Sequence, residues 1–366
     1  MAFVIGERVR AAFAPPRYLA APFSGVDIST SGVKVVRLTE GAHGLTLEHY
    51  AQVRLPLGVF TDGEIIDRAS IVKAISTATE AADISIANVS LPESKSYLFE
   101  SRAPGAGKTE WRIAVEQHLD ELVPLPPSET AFDLIGIGRM ENGEESVVGV
   151  GFARRMVDDI LSVFDEANIP VQALEEETFA MARALIPTGD TGTTLLIDVG
   201  KTTTKMAIVT GHIPRFATTF GIGGHALTLA VQKHFGVTEA EARKVKAERG
   251  IVPGPGNEDY LAVMLSTVSA IRDEISRRLM YWQEKAVSVG THESVSHVIL
   301  AGGNASVRGL PEYLEGALQI PVTAGDVFTN LASRDTWIPA LDYTESLAYA
   351  TAIGLALRDH VPSYGY

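Results

Sequence analysis

Two segments of the chain, about half its length apart, repeat one short pattern. Residues 25–36 and 196–207 each contain β-branched residues leading into an aspartate, then small or hydroxyl residues, then an apolar run. The pattern predicts a strand, a tight turn and a second strand. A turn without bulky side chains lets backbone N–H groups approach phosphate oxygens closely, and Ser and Thr add hydroxyl donors. We therefore expect two hairpins that hold a phosphate group from opposite sides.

Each hairpin carries one aspartate shortly before its turn, Asp27 in the first copy and Asp198 in the second. A carboxylate beside a phosphate repels it unless a divalent cation lies between them. The pattern therefore indicates a nucleotide bound with Mg²⁺, and both aspartates as metal ligands. A single Thr-rich hairpin would more often be an ordinary structural element. The matched pair favours a nucleotide site.

Two glycine-rich segments offer backbone that a flat ligand could approach. Gly302 and Gly303 follow a predicted buried strand, and residues 221–224 contain three further glycines. Either segment alone would be interpreted as a plain turn. Together with the two hairpins, they favour a nucleotide cleft in which the glycines border a purine.

Three consecutive glutamates, residues 175–177, precede an alanine-rich helical pattern. Acidic residues in the first turn of a helix often only complement the helix dipole. One of them could instead order a water molecule bound to the metal. The residues themselves leave both interpretations open.

Residues 105–109 (Gly-Ala-Gly-Lys-Thr) are similar to part of a phosphate-binding loop. The full motif requires a glycine where Arg102 stands, and the polar residues before it do not form the strand that such a loop follows. We expect instead the entry to a helix over residues 110–123, with Thr109 as its N-cap.

The composition limits the function classes. The chain has 366 residues, no cysteine and a formal net charge of −14 from 45 acidic and 31 basic residues. It contains no cluster of Lys and Arg that could neutralise nucleic-acid phosphates, so no nucleic-acid partner is expected. No apolar run is long enough to span a bilayer and no secretory signal is evident, which predicts a cytoplasmic protein. Residues 2–13 have the pattern of a short amphipathic helix, which would pack on the body or lie on a membrane surface.

Strand and helix patterns alternate along the chain in the manner of layered α/β domains. Helices are expected over residues 65–82, 156–167, 259–286 and 344–357, a hairpin turn at 141–143, and a capping box at Thr238 and Glu241. Residues 92–168 have a different sequence pattern and are predicted to form a small α/β insert between two pieces of the first domain. The second hairpin opens a second domain that is built like the first.

The two hairpins, the glycine pair and two alanine-rich helical segments, in this order, resemble the actin, Hsp70 and sugar-kinase superfamily. The resemblance narrows to the PilM family, the cytoplasmic actin-like component of type IV pilus assembly. The matching segments are residues 91–95 (Leu-Pro-Glu-Ser-Lys), 121–126, 179–185 and 348–358. The similarity covers nearly the whole chain, and the final segment is its most specific part.

This resemblance implies an α/β actin-like ATPase fold, in which two related domains enclose a central nucleotide cleft and an FtsA-type subdomain is inserted. The implied subdomains are 1A (residues 1–91, 169–190 and 340–366), 1C (92–168), 2A (191–228 and 296–339) and 2B (229–295). The resemblance also implies ATP and Mg²⁺ in the cleft, with at most weak hydrolysis.

The resemblance further implies a partner. In the family, the N-terminal cytoplasmic peptide of the membrane protein PilN lies in a groove between the first subdomain and the insert. We expect the chain to bind such a peptide and to act as a scaffold at the cytoplasmic face of the inner membrane, with other pilus assembly components. It would associate with the membrane only through its partner.

Position by position, the resemblance assigns the site residues. It implies phosphate contacts at Asp27, Ser29, Thr30, Ser31, Asp198, Gly200, Lys201, Thr202 and Thr203, nucleoside contacts at Gly223, Gly224, Lys246, Gly302, Gly303 and Asn304, metal binding at Asp27 and Asp198, and a catalytic role for Glu177 in positioning water. Two positions depart from the family pattern. Ser29 replaces the usual glycine of the first phosphate motif, and Arg243 stands where relatives commonly have glutamate, which alters the expected ribose contacts.

Two other functions are known in this superfamily. An FtsA-like division protein would tether filaments to the membrane through a C-terminal amphipathic helix, a feature that residues 360–366 do not provide. A small-molecule kinase would need a catalytic aspartate and a substrate pocket in the cleft, and the small insert offers no recognisable pocket. The pilus scaffold is therefore the leading prediction.

Overall fold

The computed structural model describes residues 23–105, 107–288, 294–358 and 360. The strands are, in chain order, β1 (Phe23–Ser29), β2 (Gly32–Gly41), β3 (Gly44–Arg54), β4 (Phe60–Thr61), β5 (Glu64–Ile65), β6 (Ala87–Leu91), β7 (Tyr97–Ala103), β8 (Thr130–Arg139), β9 (Glu145–Ala153), β10 (Val171–Glu176), β11 (Thr193–Val199), β12 (Thr204–Thr210), β13 (Ile213–Phe220), β14 (His297–Ala301) and β15 (Val322–Ala324).

Helices connect and cover these strands. They are α1 (Arg68–Ala81), α2 (Lys108–Glu116), α3 (Leu119–Leu122), α4 (Arg154–Glu166), α5 (Glu177–Leu185), α6 (Gly224–Phe235), α7 (Glu239–Arg249), α8 (Glu258–Ser288), α9 (Leu310–Leu318), α10 (Tyr343–Ser346) and α11 (Ala350–Ala356). Short 3₁₀ turns lie at Glu93–Lys95, Pro127–Glu129 and Leu347–Tyr349.

Two five-stranded sheets have the same plan. The strand order is β10-β6-β1-β2-β3 in the first sheet and β13-β12-β11-β14-β15 in the second. In each sheet, three antiparallel strands begin with the strand that leads into a repeated hairpin. Two further strands lie parallel to that first strand. The repeated sequence pattern therefore marks a repeated sheet.

Both faces of the first hairpin are buried, because helices cover them. Val26 and Val35 pack in one core with residues of α1, whereas Val36 and Leu38 pack in a second core with residues of α5 and α11. Burial on both faces explains why apolar residues occupy adjacent positions in the second strand, as at Val35 and Val36.

Helices α5 and α11 cross between the two sheets. Small residues bring their backbones close, since a Cβ at Gly354 of α11 would overlap the carbonyl of Ala180 in α5. Arg183 Nη1 donates to the carbonyl of Gly354 at 2.8 Å, and Arg183 Nη2 lies 2.6 Å from Glu175 Oε1. Leu196 of the second sheet belongs to the same core. The crossing fixes the two sheets, and hence the two hairpins, relative to each other.

A third sheet has three strands, in the order β7-β9-β8. Helices α2 and α3 cover one of its faces through Val115 and Leu119. Its other face places Val148 against Phe179 of α5 and Ile213 of β13. The first part of the predicted insert, residues 99–147, therefore has its own core and contacts α5 and the second sheet, whereas Phe152 and α4 pack in the core of the first sheet.

The long helix α8 packs in the core of the second half. It buries Tyr260, Met264, Val268, Ile271 and Ile275. These residues are three or four positions apart, as one face of a helix requires. The helix predicted over residues 259–286 is confirmed, and it begins and ends close to the predicted positions.

Two features predicted from short sequence patterns, a helix cap and a hairpin turn, are confirmed. The capping box of Thr238 and Glu241 is present at the start of α7. The predicted turn joins β8 and β9, where Gly143 adopts φ 86° and Asn142 Oδ1 accepts the N–H of Glu144 at 3.0 Å. Both features depend on hydrogen bonds within four residues of sequence.

The single helix predicted over residues 110–123 is wrong. The chain instead forms α2 and α3, separated by Gln117 and His118, and Val115 and Leu119 on either side of the break pack in the same core. Thr109 is not the N-cap. That position is occupied by Gly107, which adopts φ 118° and makes no side-chain capping bond.

The predicted continuous helix over residues 344–357 is also interrupted. It consists of α10, the 3₁₀ turn Leu347–Tyr349 and α11. At the interruption, the carbonyl of Leu347 accepts the N–H of Gly302 at 2.9 Å. This hydrogen bond to Gly302, a residue far away in the sequence, thus competes with the formation of a continuous helix. The predicted amphipathic segment, residues 2–13, lies outside the described residues.

Candidate functional site

The two repeated hairpins face each other across a cleft. Their turns meet where Thr202 Oγ1 donates to Thr30 Oγ1 at 2.9 Å. Close by, Lys201 Nζ donates to the carbonyl of Leu55 at 3.3 Å. The cleft has a volume of about 840 Å³, which is within the usual range for sites that bind small molecules.

Each hairpin places a lysine directly opposite its aspartate. The strand register pairs Asp27 with Lys34 and Asp198 with Lys205. Residues opposite each other in an antiparallel pair have Cβ atoms about 5 Å apart, so a lysine can reach the carboxylate. Lys34 Nζ lies 3.4 Å from Asp27 Oδ2, and Lys205 Nζ lies 3.6 Å from Asp198 Oδ2. The repeated pattern therefore contains a cation as well as an acid.

Lys205 also reaches Glu177, the first residue of α5, with Nζ 2.5 Å from Oε2. The other oxygen of Glu177 accepts the backbone N–H of Glu93 at 2.8 Å. Burial raises the pKa of Glu177, and Lys205 opposes that rise. Burial alone would lower the pKa of Lys205, but the nearby carboxylates, Glu177 foremost, outweigh burial and raise it. The Lys205 ammonium therefore stays charged at the floor of the cleft.

Two further carboxyl groups are buried beside Glu177. Thr219 Oγ1 of β13 donates to Glu93 Oε2. Burial raises the pKa of Glu93 to about 7, while the hydrogen bond from Thr219 opposes the rise. Burial also raises the pKa of Glu176, which caps α5 by accepting the N–H of Thr178 at 3.1 Å. This acidic cluster connects the insert, α5 and the second sheet.

At the other end of the cleft, Lys246 of α7 reaches the first turn of α6. Lys246 Nζ donates to Asn304 Oδ1 at 2.7 Å and to the carbonyl of Gly224 at 3.3 Å. Asn304 Nδ2 in turn donates to the carbonyl of Gly200 at 2.9 Å. Burial lowers the pKa of Lys246 to about 8, and Arg243 adds to the decrease. These bonds connect the second hairpin to the glycine-rich turns.

The cleft carries an excess of positive charge, although the chain is acidic. Its lining contains the basic residues Lys34, Arg54, Lys201, Lys205, Arg243, Lys246 and Arg308 and the acidic residues Asp27, Asp62, Glu177 and Asp198. Seven bases and four acids give a formal charge of +3, in a chain whose net charge is −14. Such a local excess attracts an anionic ligand.

A family model described as type IV pilus assembly protein PilM matches residues 25–360. The match spans both hairpins, the insert and α11. The chain belongs to the PilM family. The resemblance predicted from the sequence is confirmed, and it favours a pilus function over a division tether or a kinase.

Solved structures share the fold of this PilM-family chain. The PilM-PilN type IV pilus biogenesis complex is 20% identical over 94% of this chain and 99% of that chain, with a TM-score of 0.74. The ethanolamine utilization protein EutJ from Carboxydothermus hydrogenoformans is 15% identical over 94% and 90%, with a TM-score of 0.51. MreB5 of Spiroplasma citri bound to ADP is 14% identical over 85% and 94%, with a TM-score of 0.53. The predicted actin-like α/β fold is confirmed.

The structure brings most of the residues predicted from the PilM resemblance to one cleft. Those that line it are Asp27, Ser29, Thr30, Ser31, Glu177, Asp198, Gly200, Lys201, Thr203, Gly224, Lys246, Gly302, Gly303 and Asn304. Thr202 instead bonds the opposite hairpin, and Gly223 packs against the backbone of residues 201–203. The ligand roles of all these residues stay predictions.

Lys34 and Lys205 are cleft residues that the assignment of site residues missed. Each follows its aspartate by seven positions, so the signal is present in both copies of the PilM-family pattern. A hairpin with a two- to four-residue turn places such a pair opposite each other across the ladder. The seven-position spacing, together with the short turn, could therefore have predicted that each lysine faces its aspartate.

The predicted metal ligands do not fit Mg²⁺ as these side chains lie. Asp27 Oδ1 accepts the hydroxyl of Ser90 at 3.0 Å, and Asp27 Oδ2 faces Lys34. Asp198 Oδ2 faces Lys205. Mg²⁺ requires near-octahedral oxygen coordination, and an adjacent ammonium repels it. Within the described part of the chain, no group of three His, Asp or Glu residues is arranged to hold a metal.

Lys108, from the sequence similar to a phosphate-binding loop, does not line the cleft. Its Nζ donates to Asp133 Oδ2 of the insert at 3.1 Å. Arg243, which departs from the family pattern, does line the cleft and pairs with Glu239 at 2.5 Å.

Across the described ranges, no helix is both long and apolar enough to cross a membrane.

Proposed function

We propose that this chain is a nucleotide-binding scaffold of a type IV pilus assembly complex, and that ATP is its ligand. The observation that carries the proposal is the basic cleft between two repeated hairpins in an acidic PilM-family chain. A triphosphate supplies the negative charge that this cleft attracts. MreB5, which shares the fold, carries ADP in its solved structure.

The chemistry of the cleft suggests which groups hold each part of ATP. Hydroxyls of Ser29, Thr30 and Thr203 and the ammonium of Lys34 would contact the phosphates. The glycine pair and Lys246 would border the nucleoside, since a turn without side chains admits a flat ring. Glu177 remains the candidate for positioning a water molecule.

The proposed partner is the N-terminal peptide of a PilN-like membrane protein. The match to the PilM-PilN complex over 94% of this chain supports it. We place the peptide in a groove between subdomains 1A and 1C, using the division of the chain predicted from the sequence. Such a partner would hold the scaffold at the cytoplasmic face of the inner membrane. Extended peptides bind grooves mainly through backbone hydrogen bonds and a few apolar side chains, so their binding depends little on salt.

Contacts of the insert suggest how the cleft and the groove would communicate. Glu93 accepts a hydrogen bond from Thr219 of the second sheet. Arg215 Nη1 of the same sheet lies 3.1 Å from Glu100 Oε1 of the insert. A nucleotide that changes the position of the second sheet would therefore act on the insert and on the peptide groove. Linkage then requires the peptide to change nucleotide affinity by the same factor.

Calorimetry with the cognate peptide, with and without ATP, tests the proposal. We expect peptide binding in both states, with an affinity that differs between them. The variant Arg215→Gln should reduce that difference, because it removes one contact of the insert with the second sheet. Arg334→Gln is the matched control, since Arg334 is in an exposed ion pair with Asp326. Absence of peptide binding in either state contradicts the scaffold, whereas equal affinity in both contradicts only the coupling.

A further inference from the structure

The second hairpin places a cation where three carboxylates meet. Lys205 Nζ lies 2.5 Å from Glu177 Oε2 and 3.6 Å from Asp198 Oδ2, and the charge of Asp27 also acts on it. Its side chain is 16% exposed and lines the cleft. The ammonium is thus mostly buried but open to a ligand in the cleft.

The aspartates leave little room for a second cation. Asp198 Oδ2 faces Lys205, and its other oxygen lies so close to Gly302 that a Cβ there would overlap it. The oxygens of Asp27 contact Lys34 and Ser90. A divalent ion between the hairpins would therefore meet two ammonium groups, and three of the four carboxylate oxygens of the two aspartates already have a partner.

The sequence predicts Mg²⁺ because a phosphate and an aspartate repel each other. That repulsion is reduced if a protein cation lies between them. Lys34 and Lys205 each supply one positive charge opposite Asp27 and Asp198. Lysine is a compact point charge and an established phosphate ligand.

We propose that the Lys205 ammonium takes the position of the divalent cation and, together with Lys34, supplies two positive charges, so that this chain binds its nucleotide as the metal-free polyphosphate anion. The proposal rests on the nucleotide cleft of the proposed function. It specifies the ligand form as a nucleoside di- or triphosphate without Mg²⁺. Lys34 neutralises the first aspartate, and Lys205 partly offsets the charges of the second aspartate and of Glu177.

Calorimetric titration of the full chain with ATP, in EDTA and in Mg²⁺, tests the inference. We expect the dissociation constant in EDTA to lie within fivefold of its value in Mg²⁺. An affinity that is fivefold or more weaker in EDTA overturns the inference but leaves the nucleotide site intact. Absence of ATP binding in both buffers contradicts the nucleotide site itself, and the inference with it.

A double variant identifies Lys205 as the cation. Lys205→Met alone would leave Glu177 buried without its partner, which destabilises folding. Combining it with Glu177→Gln removes both charges. In EDTA this double variant should bind ATP at least about tenfold more weakly than wild type, and Lys108→Ala, which removes an exposed lysine of the insert, should bind normally. Wild-type affinity of the double variant in EDTA contradicts the role of Lys205.

The variant Asp198→Asn distinguishes a metal-binding role of Asp198 from a cation role of Lys205, because the two roles predict opposite changes in ATP affinity. If Asp198 is a metal ligand, Asp198→Asn weakens ATP binding in Mg²⁺. If Lys205 is the cation, Asp198→Asn removes one negative charge near the phosphates and leaves ATP affinity equal or higher. Weaker binding of Asp198→Asn that appears only in Mg²⁺ would overturn the inference.

Discussion

The substitution Gly302→Ala should destabilise the protein, whereas Gly303→Ala should not. Gly302 adopts φ 89°, a backbone conformation that L residues rarely adopt. A Cβ at this position would overlap Asp198 Oδ1 and would lie 2.7 Å from the carbonyl oxygen of Val199. At Gly303 the nearest atom is the Cβ of Ala348, at 3.7 Å, which is an ordinary contact.

The expected cost of Gly302→Ala has two parts. The left-handed conformation costs an alanine roughly 1–2 kcal/mol. Displacing tightly packed neighbours costs about 1–3 kcal/mol. The free energy of unfolding should therefore fall by roughly 2–5 kcal/mol. Gly303→Ala incurs neither cost and should stay within about 0.5 kcal/mol of wild type.

Urea unfolding of the two variants and the wild type measures this difference. Titration with ATP adds a second measurement, because movement of Asp198 would also disturb the second hairpin. We expect Gly302→Ala to lose both stability and ATP affinity. If the two variants have the same free energy of unfolding, the reasoning from φ and contact distance is wrong.

Three further outcomes are expected. Gly354→Ala should lower the free energy of unfolding by about 1–3 kcal/mol, because its Cβ would overlap the carbonyl of Ala180. Gly316→Ala in α9 has open space around the new Cβ and should raise the free energy of unfolding by roughly 0.5–1 kcal/mol. Urea unfolding measures both changes. Burial raises the pKa of Glu93 from 4.5 to about 7, so the native carboxyl binds its proton more tightly than the unfolded one, and stability is lost as pH rises through this window. Glu93→Gln should therefore be more stable than wild type near pH 8, by up to about 3 kcal/mol, and this gain should shrink as pH falls from 7 to 4.5; a gain independent of pH refutes the assignment. Lys108→Ala should leave ATP affinity unchanged, because Lys108 lies outside the cleft, and a tenfold loss in calorimetry, about 1.4 kcal/mol, would show that the site is misplaced.

The sequence alone predicts features that depend on neighbours in the chain. Both hairpins, the capping box of Thr238 and Glu241 and the turn at Asn142 are visible in it, because each uses turn chemistry or hydrogen bonds within a few residues. The family resemblance extends this to the fold and to the candidate cleft. Most of the residues assigned by resemblance line that cleft.

The tertiary structure decides what distant segments do to one another. Two adjacent glycines, Gly302 and Gly303, look equivalent in the sequence, but only the first is held at positive φ against another strand. The final helix is interrupted where the carbonyl of Leu347 accepts the N–H of Gly302. Local helical signals cannot anticipate such a contact, because its partners are 45 positions apart in the chain.

The same limit applies to the charges of the cleft. In the sequence, Lys205 follows Asp198 by seven positions. Strand pairing places the two residues opposite each other, so that they form a cross-strand ion pair. That Lys205 also meets Glu177 follows only from the packing of α5 beneath the second hairpin. Turn and helix formation depend on local backbone chemistry, whereas the partner of a buried charge depends on which distant segments exclude water around it.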